Sequence, residues 1–249
     1  MHADDRGVDL PVRFGDPRRE YAALTARAAV LDLGFRTLVR ATGPDRTSFL
    51  QGMLTCDVAA LRPGQVAHGL LLTIQGRVTA DVRVLATDDA LLLDVDVRVR
   101  AAMLEALEKL LVADDVEFDD PGPIAPIGLE GPGGSALLAA CGIAAPADGH
   151  AEARVGGVAV RALRASEVRG PGVVLFAPAD GAASVWDALV AAGATPCGMQ
   201  ALEARRIETG VPRVGVDMDG STLALEVPVE DLISTTKGCY LGQEVVARG

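Results

Sequence analysis

The chain has 249 residues, of which 49% are hydrophobic, so it can bury the core of one large domain or of two ordinary ones. Its 34 Asp and Glu residues outnumber its 23 Lys and Arg residues, and the net charge of −11 opposes the phosphate attraction behind most nucleic-acid binding. Aromatic residues make up 3% of the chain, which leaves little material for stacking bases. The composition therefore predicts a globular protein that does not bind nucleic acid directly.

The N-terminus carries no targeting signal that we recognise. Charged residues occur from Asp4 onward, and no apolar run follows within the first thirty residues. The longest uncharged run, residues 131–147, is interrupted by Gly and Pro and is short for a membrane span. We therefore expect a cytoplasmic protein without a membrane-spanning segment.

The four cysteines lie far apart in the sequence, at positions 56, 141, 197 and 239. They form no C-x-x-C pair and have no histidine cluster nearby, so the spacing predicts neither a zinc site nor a cluster-binding site. We expect Cys56, Cys141 and Cys197 to be buried as small apolar side chains, since free cysteines are often interior. The sequence thus predicts no bound metal.

The first part of the chain alternates helical and strand patterns. Apolar spacing predicts a helix near residues 43–54, strands at 70–74, 78–85 and 90–95, and an amphipathic helix at 98–112. These elements predict an α+β arrangement in which the helices pack on a sheet.

A stretch rich in Pro and Gly, residues 121–134, marks the expected boundary between two α+β halves, 1–120 and 121–249. The second half contains predicted strands at 158–161 and 173–176, a helix around 185–192 and a helix at 198–209. The last of these helices places Arg205 and Glu208 on one face, three residues apart.

Three segments together resemble one protein family. The strongest is KGCYLGQE at 237–244, which matches the signature of the YgfZ-type folate-binding proteins, relatives of the glycine-cleavage aminomethyltransferases. The segment FLQGMLTCDV at 49–58 resembles the first helix of this family and its exit, and ALEARRIETGVP at 201–212 resembles a helix and turn that the family shares with the aminomethyltransferases. The signature residues are Lys237, Gly238, Cys239, Tyr240, Gly242, Gln243 and Glu244, followed by Arg248.

The resemblance implies a two-part, aminomethyltransferase-like folate-binding module of the α+β class, normally completed by a small C-terminal β-barrel. Because the sequence ends at Gly249, we expect the barrel to be absent, either outside this sequence or dispensed with. The implied function is a tetrahydrofolate-binding accessory protein in iron–sulfur cluster assembly or repair, and through cluster-containing enzymes in tRNA modification. The implied partners are a reduced folate and iron–sulfur proteins or their assembly factors.

Two carboxylates are candidate folate ligands by this resemblance. Glu208 matches the acidic residue that holds the pterin, with Arg205 beside it, although the two could equally form a surface ion pair. Asp81 corresponds to the second of two consecutive acids in the aminomethyltransferases, and Ala80 occupies the position of the first. A single carboxylate does not supply an acid and base pair, which disfavours aminomethyl transfer. Asp81 either lines the folate site or is a solvated strand residue.

Cys239 is a tentative catalytic residue. It lies two residues after Lys237 and just before a predicted helix at 243–248, and both a cation and a helix N-terminus favour the thiolate. The alternatives are a buried structural cysteine, or a loop held by hydrogen bonds from Lys237, Gln243 and Glu244. A folate-dependent aminomethyl or one-carbon transferase is the competing function, and an interaction module without ligand is a third.

Overall fold

The computed structural model of the protein describes residues 2–4, 7–144 and 146–247. The strands are β1 (His2–Asp4), β2 (Asp9–Pro11), β3 (Ala29–Asp32), β4 (Arg36–Thr42), β5 (Val66–Leu72), β6 (Val78–Ala86), β7 (Leu91–Asp96), β8 (Glu117–Asp119), β9 (Ile124–Glu130), β10 (His150–Val155), β11 (Val158–Leu163), β12 (Gly172–Pro178) and β13 (Thr195–Cys197). The α-helices are α1 (Pro17–Ala26), α2 (Arg46–Met53), α3 (Val97–Glu108), α4 (Gly134–Ala140), α5 (Ala182–Ala191), α6 (Met199–Glu208) and α7 (Gln243–Val246). The fold is mixed α+β, as the sequence predicts.

The chain forms two compact units, each built from two segments of the sequence. The first unit contains residues 1–35 and 122–211, and the second contains residues 36–121 and 212–249. Each unit thus combines parts from both sides of the Pro- and Gly-rich stretch. The division into halves 1–120 and 121–249 stays a prediction.

The first unit is built on a six-stranded sheet in the order β10-β11-β12-β9-β3-β13. Neighbouring strands are antiparallel except for β13 and β3, which are parallel. Val185 and Leu189 of α5 are fully buried in the apolar core of this unit, together with Leu175 of β12. Pro17 at the start of α1 and the Asp16 carboxylate, which accepts from the Arg18 N–H at 3.0 Å, explain where that helix begins.

The second unit is built on a five-stranded antiparallel sheet in the order β5-β6-β7-β4-β8. In β6 the residues Val78, Ala80, Val82 and Val84 are fully buried, as their alternation with polar residues predicts. One face of the sheet is covered by α2 and α3, which contribute Leu50 and Met103, respectively, to the core there. The opposite face carries the polar residues of the candidate site.

Two predicted boundaries were wrong. Helix α3 ends at Glu108 rather than residue 112, because Leu110 and Val112 are exposed and do not extend its apolar face. Strand β5 runs from Val66 to Leu72, not from 70 to 74, and Ile74 lies exposed in the turn to β6. Within the described ranges, every helix is too short or too polar to cross a membrane.

Candidate functional site

The polar side of the five-stranded sheet holds a pair of titratable side chains, His68 on β5 and Asp81 on β6. The Nε2 atom of His68 and the Oδ1 atom of Asp81 are hydrogen-bonded to each other, and the side chains are 35% and 18% exposed. Strand pairing explains the contact: Leu70 lies directly opposite Asp81, so His68, two residues earlier, is its diagonal neighbour. The pair is therefore built by the β5–β6 hairpin.

A buried ion cluster continues the same face across the sheet. The Asp94 carboxylate is fully buried and accepts from Arg36 Nε at 2.9 Å and from an Arg83 terminal nitrogen at 3.2 Å. Burial alone would raise the pKa of Asp81, but the charge and hydrogen bond of His68, aided by both arginines, hold that pKa below its ordinary value. We call Arg36, His68, Asp81, Arg83 and Asp94 the charged face.

Lys237 of the signature motif is buried, with 8% of its surface exposed. Its ammonium donates to the backbone carbonyl oxygens of Gln51, Leu54 and Cys56, the last at 2.8 Å. These carbonyls lie at and just after the C-terminal end of α2, where helical carbonyls lack partners and favour a cation. Burial lowers the pKa of Lys237 in spite of the nearby Cys56 and Asp57. We call this arrangement the lysine clasp.

Further bonds join the signature loop to the same segment. The backbone N–H of Leu241 donates to the Gly52 carbonyl at 2.9 Å, and that of Ser234 donates to the Thr55 carbonyl at 2.9 Å. Gly242 has φ +81°, and a Cβ there would lie 2.5 Å from the Thr73 carbonyl oxygen, so only glycine fits. The two sequence motifs, at 49–58 and 237–244, thus form one structural element.

Tyr240 packs the signature loop against β5, the strand that carries His68 of the charged face. Its ring is 8% exposed and packs in a small apolar cluster with Leu70 and Leu72 of β5. Because Leu70 lies opposite Asp81 in the sheet, the signature loop and the His68–Asp81 pair occupy the same side of β5. The second unit therefore brings Asp81 and the signature together.

Cys239 is exposed, which excludes the buried structural role considered for it. The helix after it, α7, has only four residues, and the Lys237 ammonium points to the α2 carbonyls. The sequence offered hydrogen bonds from Lys237, Gln243 and Glu244 as what holds the signature loop. Within the described part of the chain the side chains of Gln243 and Glu244 make no hydrogen bond, so only Lys237 holds the loop by side-chain hydrogen bonds of this kind. Arg248 lies outside the described residues.

The other three cysteines differ in how deeply they are buried. Cys56 and Cys197 are buried as expected, and burial raises their thiol pKa values to about 11 and about 12. Cys141 is only half-buried, contrary to expectation, because it follows the last turn of the short helix α4.

Glu208 lies in the first unit, at the C-terminal end of α6, with its side chain 55% exposed. It accepts hydrogen bonds from the Tyr21 hydroxyl on α1 and, at 2.7 Å, from the Arg205 guanidinium. The Tyr21 hydrogen bond and then that of Arg205 lower the pKa of Glu208. We call Tyr21, Arg205 and Glu208 the α6 triad.

Sequence reasoning missed the hydrogen-bond partners of Asp81, Glu208 and Lys237. Sequence reasoning assigns His68 no role because the three histidines of the chain are scattered and match no recognisable motif; the diagonal pairing of a hairpin could have found it. Tyr21 lies 187 residues from Glu208, and the clasp carbonyls lie more than 180 residues from Lys237, so no local pattern signals either contact.

The fold and site define an α+β protein whose sheet carries a charged face beside a clasped signature loop. The chain belongs to the GCVT N-terminal domain family, whose model matches residues 3–237. It is 30% identical to an aminomethyltransferase of Geobacillus kaustophilus, over 97% of this chain and 70% of the relative, and 26% identical to one of Streptomyces coelicolor, over 96% and 68%.

Two further likenesses agree with this assignment. A putative chloroplastic transferase of Arabidopsis thaliana is 29% identical over 88% of this chain and 52% of its own length. The crystal structure of glycine cleavage system aminomethyltransferase T from Bartonella henselae matches all of this chain and 70% of its own with a TM-score of 0.87. At 19% identity this last likeness establishes the fold.

Proposed function

We propose that this protein is a tetrahydrofolate-binding accessory protein of the YgfZ type that supports iron–sulfur cluster assembly or repair, and through it tRNA modification. The observation that carries the proposal is the lysine clasp, which holds the YgfZ signature in one shape and leaves Cys239 exposed at its surface. An accessible thiol on a preorganised loop suits an encounter with an iron–sulfur protein or an assembly factor.

Folate binding is assigned to Glu208 and Arg205 of the first unit, and Asp81 of the second unit is a separate candidate ligand. The aminopyrimidine ring of a folate offers several N–H donors, and a carboxylate that accepts two of them forms a charge-assisted pair. In this proposal the pterin replaces the Tyr21 hydroxyl or the Arg205 guanidinium as the donor to Glu208. The half-exposed side chain of Glu208 is open to such an exchange.

The charge pattern on β6 supports an accessory role over aminomethyl transfer. Ala80, at the position of the first acid of the aminomethyltransferases, is fully buried in the apolar core, and of these two neighbouring positions only that of Asp81 faces the polar side. Two carboxylates that push each other's pKa values apart are therefore lacking at this position.

The alternative is a folate-dependent aminomethyl or one-carbon transferase. Two observations favour it: relatives that are 26–30% identical carry the name aminomethyltransferase, and the His68–Asp81 pair offers one acid and one base within hydrogen-bonding distance. Folate-dependent turnover by the purified protein that is lost in His68→Gln would support this alternative.

Calorimetric titration with tetrahydrofolate and its one-carbon derivatives tests the shared folate assignment. We expect saturable binding by the wild type and a loss of about tenfold or more in Glu208→Gln, which keeps the shape and removes the charge. Glu152→Gln is the matched control, because Glu152 is an exposed partner of Arg161 in the same unit. No binding of any reduced folate by the wild type would refute the folate role.

Complementation tests the accessory role. In cells lacking this protein, we expect Cys239→Ala to fail to restore a cluster-dependent enzyme while Cys141→Ala restores it. Both variants should fold and bind folate like the wild type. Full complementation by Cys239→Ala would remove the thiol from the mechanism and leave the shape of the loop as its active feature.

A further inference from the structure

The first unit contains an open cleft of about 230 Å³ that the proposed function does not use. It lies at the corner of the six-stranded sheet beside the beginning of α5, where β3 ends and β9 begins. Its walls include the aromatic rings of Phe14 and Trp186 and the apolar side chain of Ile127, with Asp32 among them. The lining is mainly apolar and contains a single carboxylate.

Asp32 is a carboxylate in an apolar position. It lies two residues after the fully buried Val30, on the side of the sheet that packs into the core of the unit. Its Oδ1 atom accepts from the Gly34 N–H at 2.8 Å, and within the described residues no hydrogen bond reaches Oδ2. Burial raises the pKa of Asp32, although the Gly34 hydrogen bond opposes this. One oxygen thus has a partner and the other is available to a donor from outside.

Hydrogen bonds to the backbone at Phe14 fix the aromatic side of the cleft. Phe14 is 49% exposed, and its ring lies 5.4 Å from that of Trp186, centroid to centroid. The buried carboxylate of Glu20 accepts from the backbone N–H groups of Phe14 and Gly15 at 2.8 and 2.6 Å, and from that of Gly198 at 2.9 Å. The exposed ring therefore projects from an anchored loop, and little ordering would be needed on binding.

We propose that this cleft binds a small organic cation, an ammonium group on a compact apolar body. The free oxygen of Asp32 would accept the ammonium N–H, and the faces of Phe14 and Trp186 would attract the charge and cover the apolar body. An anion would meet the Asp32 carboxylate at close range, and a neutral ligand would offer that carboxylate no opposite charge. Charge selectivity is therefore the property that this geometry predicts.

Three probes of one size test the selectivity: benzylammonium, benzyl alcohol and benzoate. Trp186 is the single tryptophan of the chain, so its fluorescence reports on the cleft directly. We expect a saturable change with benzylammonium, about tenfold weaker binding of benzyl alcohol, and no saturable change with benzoate. Equal binding of the alcohol and the cation, preferred binding of benzoate, or no saturable response to any probe would each overturn the proposal.

Substitutions locate the site. We expect Asp32→Asn to weaken benzylammonium binding about tenfold while leaving benzyl alcohol unaffected. Asp187→Asn is the matched control, since it removes an exposed charge from α5, next to Trp186 but outside the lining. Equal losses in the two variants would mean general charge attraction and would contradict the site. The probe comparison on the wild type requires no substitution, so it decides the matter even if Asp32→Asn does not fold.

Discussion

The charged face and the α6 triad both pair carboxylates with cations, yet they differ in exposure to water. Asp94 on the charged face is fully buried between Arg36 and Arg83, whereas Glu208 in the triad is 55% exposed. A buried ion pair that loses one member leaves a charge without solvation, while an exposed pair exchanges its partner for water. The same residue types are thus structural in one place and available for a ligand in the other.

The largest effect is expected where the charge is most deeply buried. Asp94→Asn keeps the shape but removes the negative charge between two buried arginines, and we expect a loss of about 3–5 kcal/mol in the free energy of unfolding. Urea unfolding followed by circular dichroism measures this loss. Asp119→Asn is the control, because its pair with Arg40 at 2.8 Å is exposed on the edge strand β8. Similar losses in the two variants would contradict the difference drawn between buried and exposed pairs.

The second-largest loss of stability is expected at the lysine clasp. Lys237→Met removes the ammonium and leaves three buried carbonyls short of a donor, so we expect a loss of about 2 kcal/mol in stability. The chain has one other lysine, Lys109, which is 70% exposed and pairs with Glu105, so Lys109→Met is a matched control. Faster hydrogen exchange at Leu241 and Ser234 in the Lys237 variant would locate the loss in the signature loop. Unchanged exchange there would refute the clasp.

Asp81 should show a pH-dependent effect. Its pKa is lower in the folded protein than its ordinary value of about 3.9, so its contribution is complete above that value and is lost as the pH falls through the folded-state pKa. We expect Asp81→Asn to cost about 1–2 kcal/mol near pH 6 and clearly less near pH 3. Asp88→Asn, in the exposed turn after β6, should show no such change. A difference independent of pH would mean that His68 does not stabilise the carboxylate.

The smallest effect is expected in the α6 triad. Glu208→Gln should leave the thermal midpoint unchanged, since the pair it disrupts is open to water. The same variant is expected to lose folate affinity. A lowered midpoint would indicate that the contact with Tyr21 joins α1 to α6 structurally, and the loss of binding would then need another explanation.

The sequence located the elements of the second unit well, because the alternation in β6 and the helical spacing of α3 are strong local signals. It placed Asp81 on the polar face of its strand for the same reason. It missed the start of β5, since Val66, Ala67 and His68 are only half-buried and lack a clean alternation. Sequence reasoning also left His68 out of the candidate site, because the three histidines of the chain are scattered and match no recognisable motif.

By itself the sequence determined the α+β class, the relationship to the aminomethyltransferase family, and the apolar faces of its helices and strands, because periodicity and motif spacing are properties of neighbouring residues. Only the tertiary structure decided what those residues contact. It turned Lys237 away from solvent toward the α2 carbonyls, paired Asp81 with His68, and left Cys239 and Glu208 exposed. The physical reason is that burial and hydrogen bonding depend on segments up to 187 residues apart, which only the folded chain brings together.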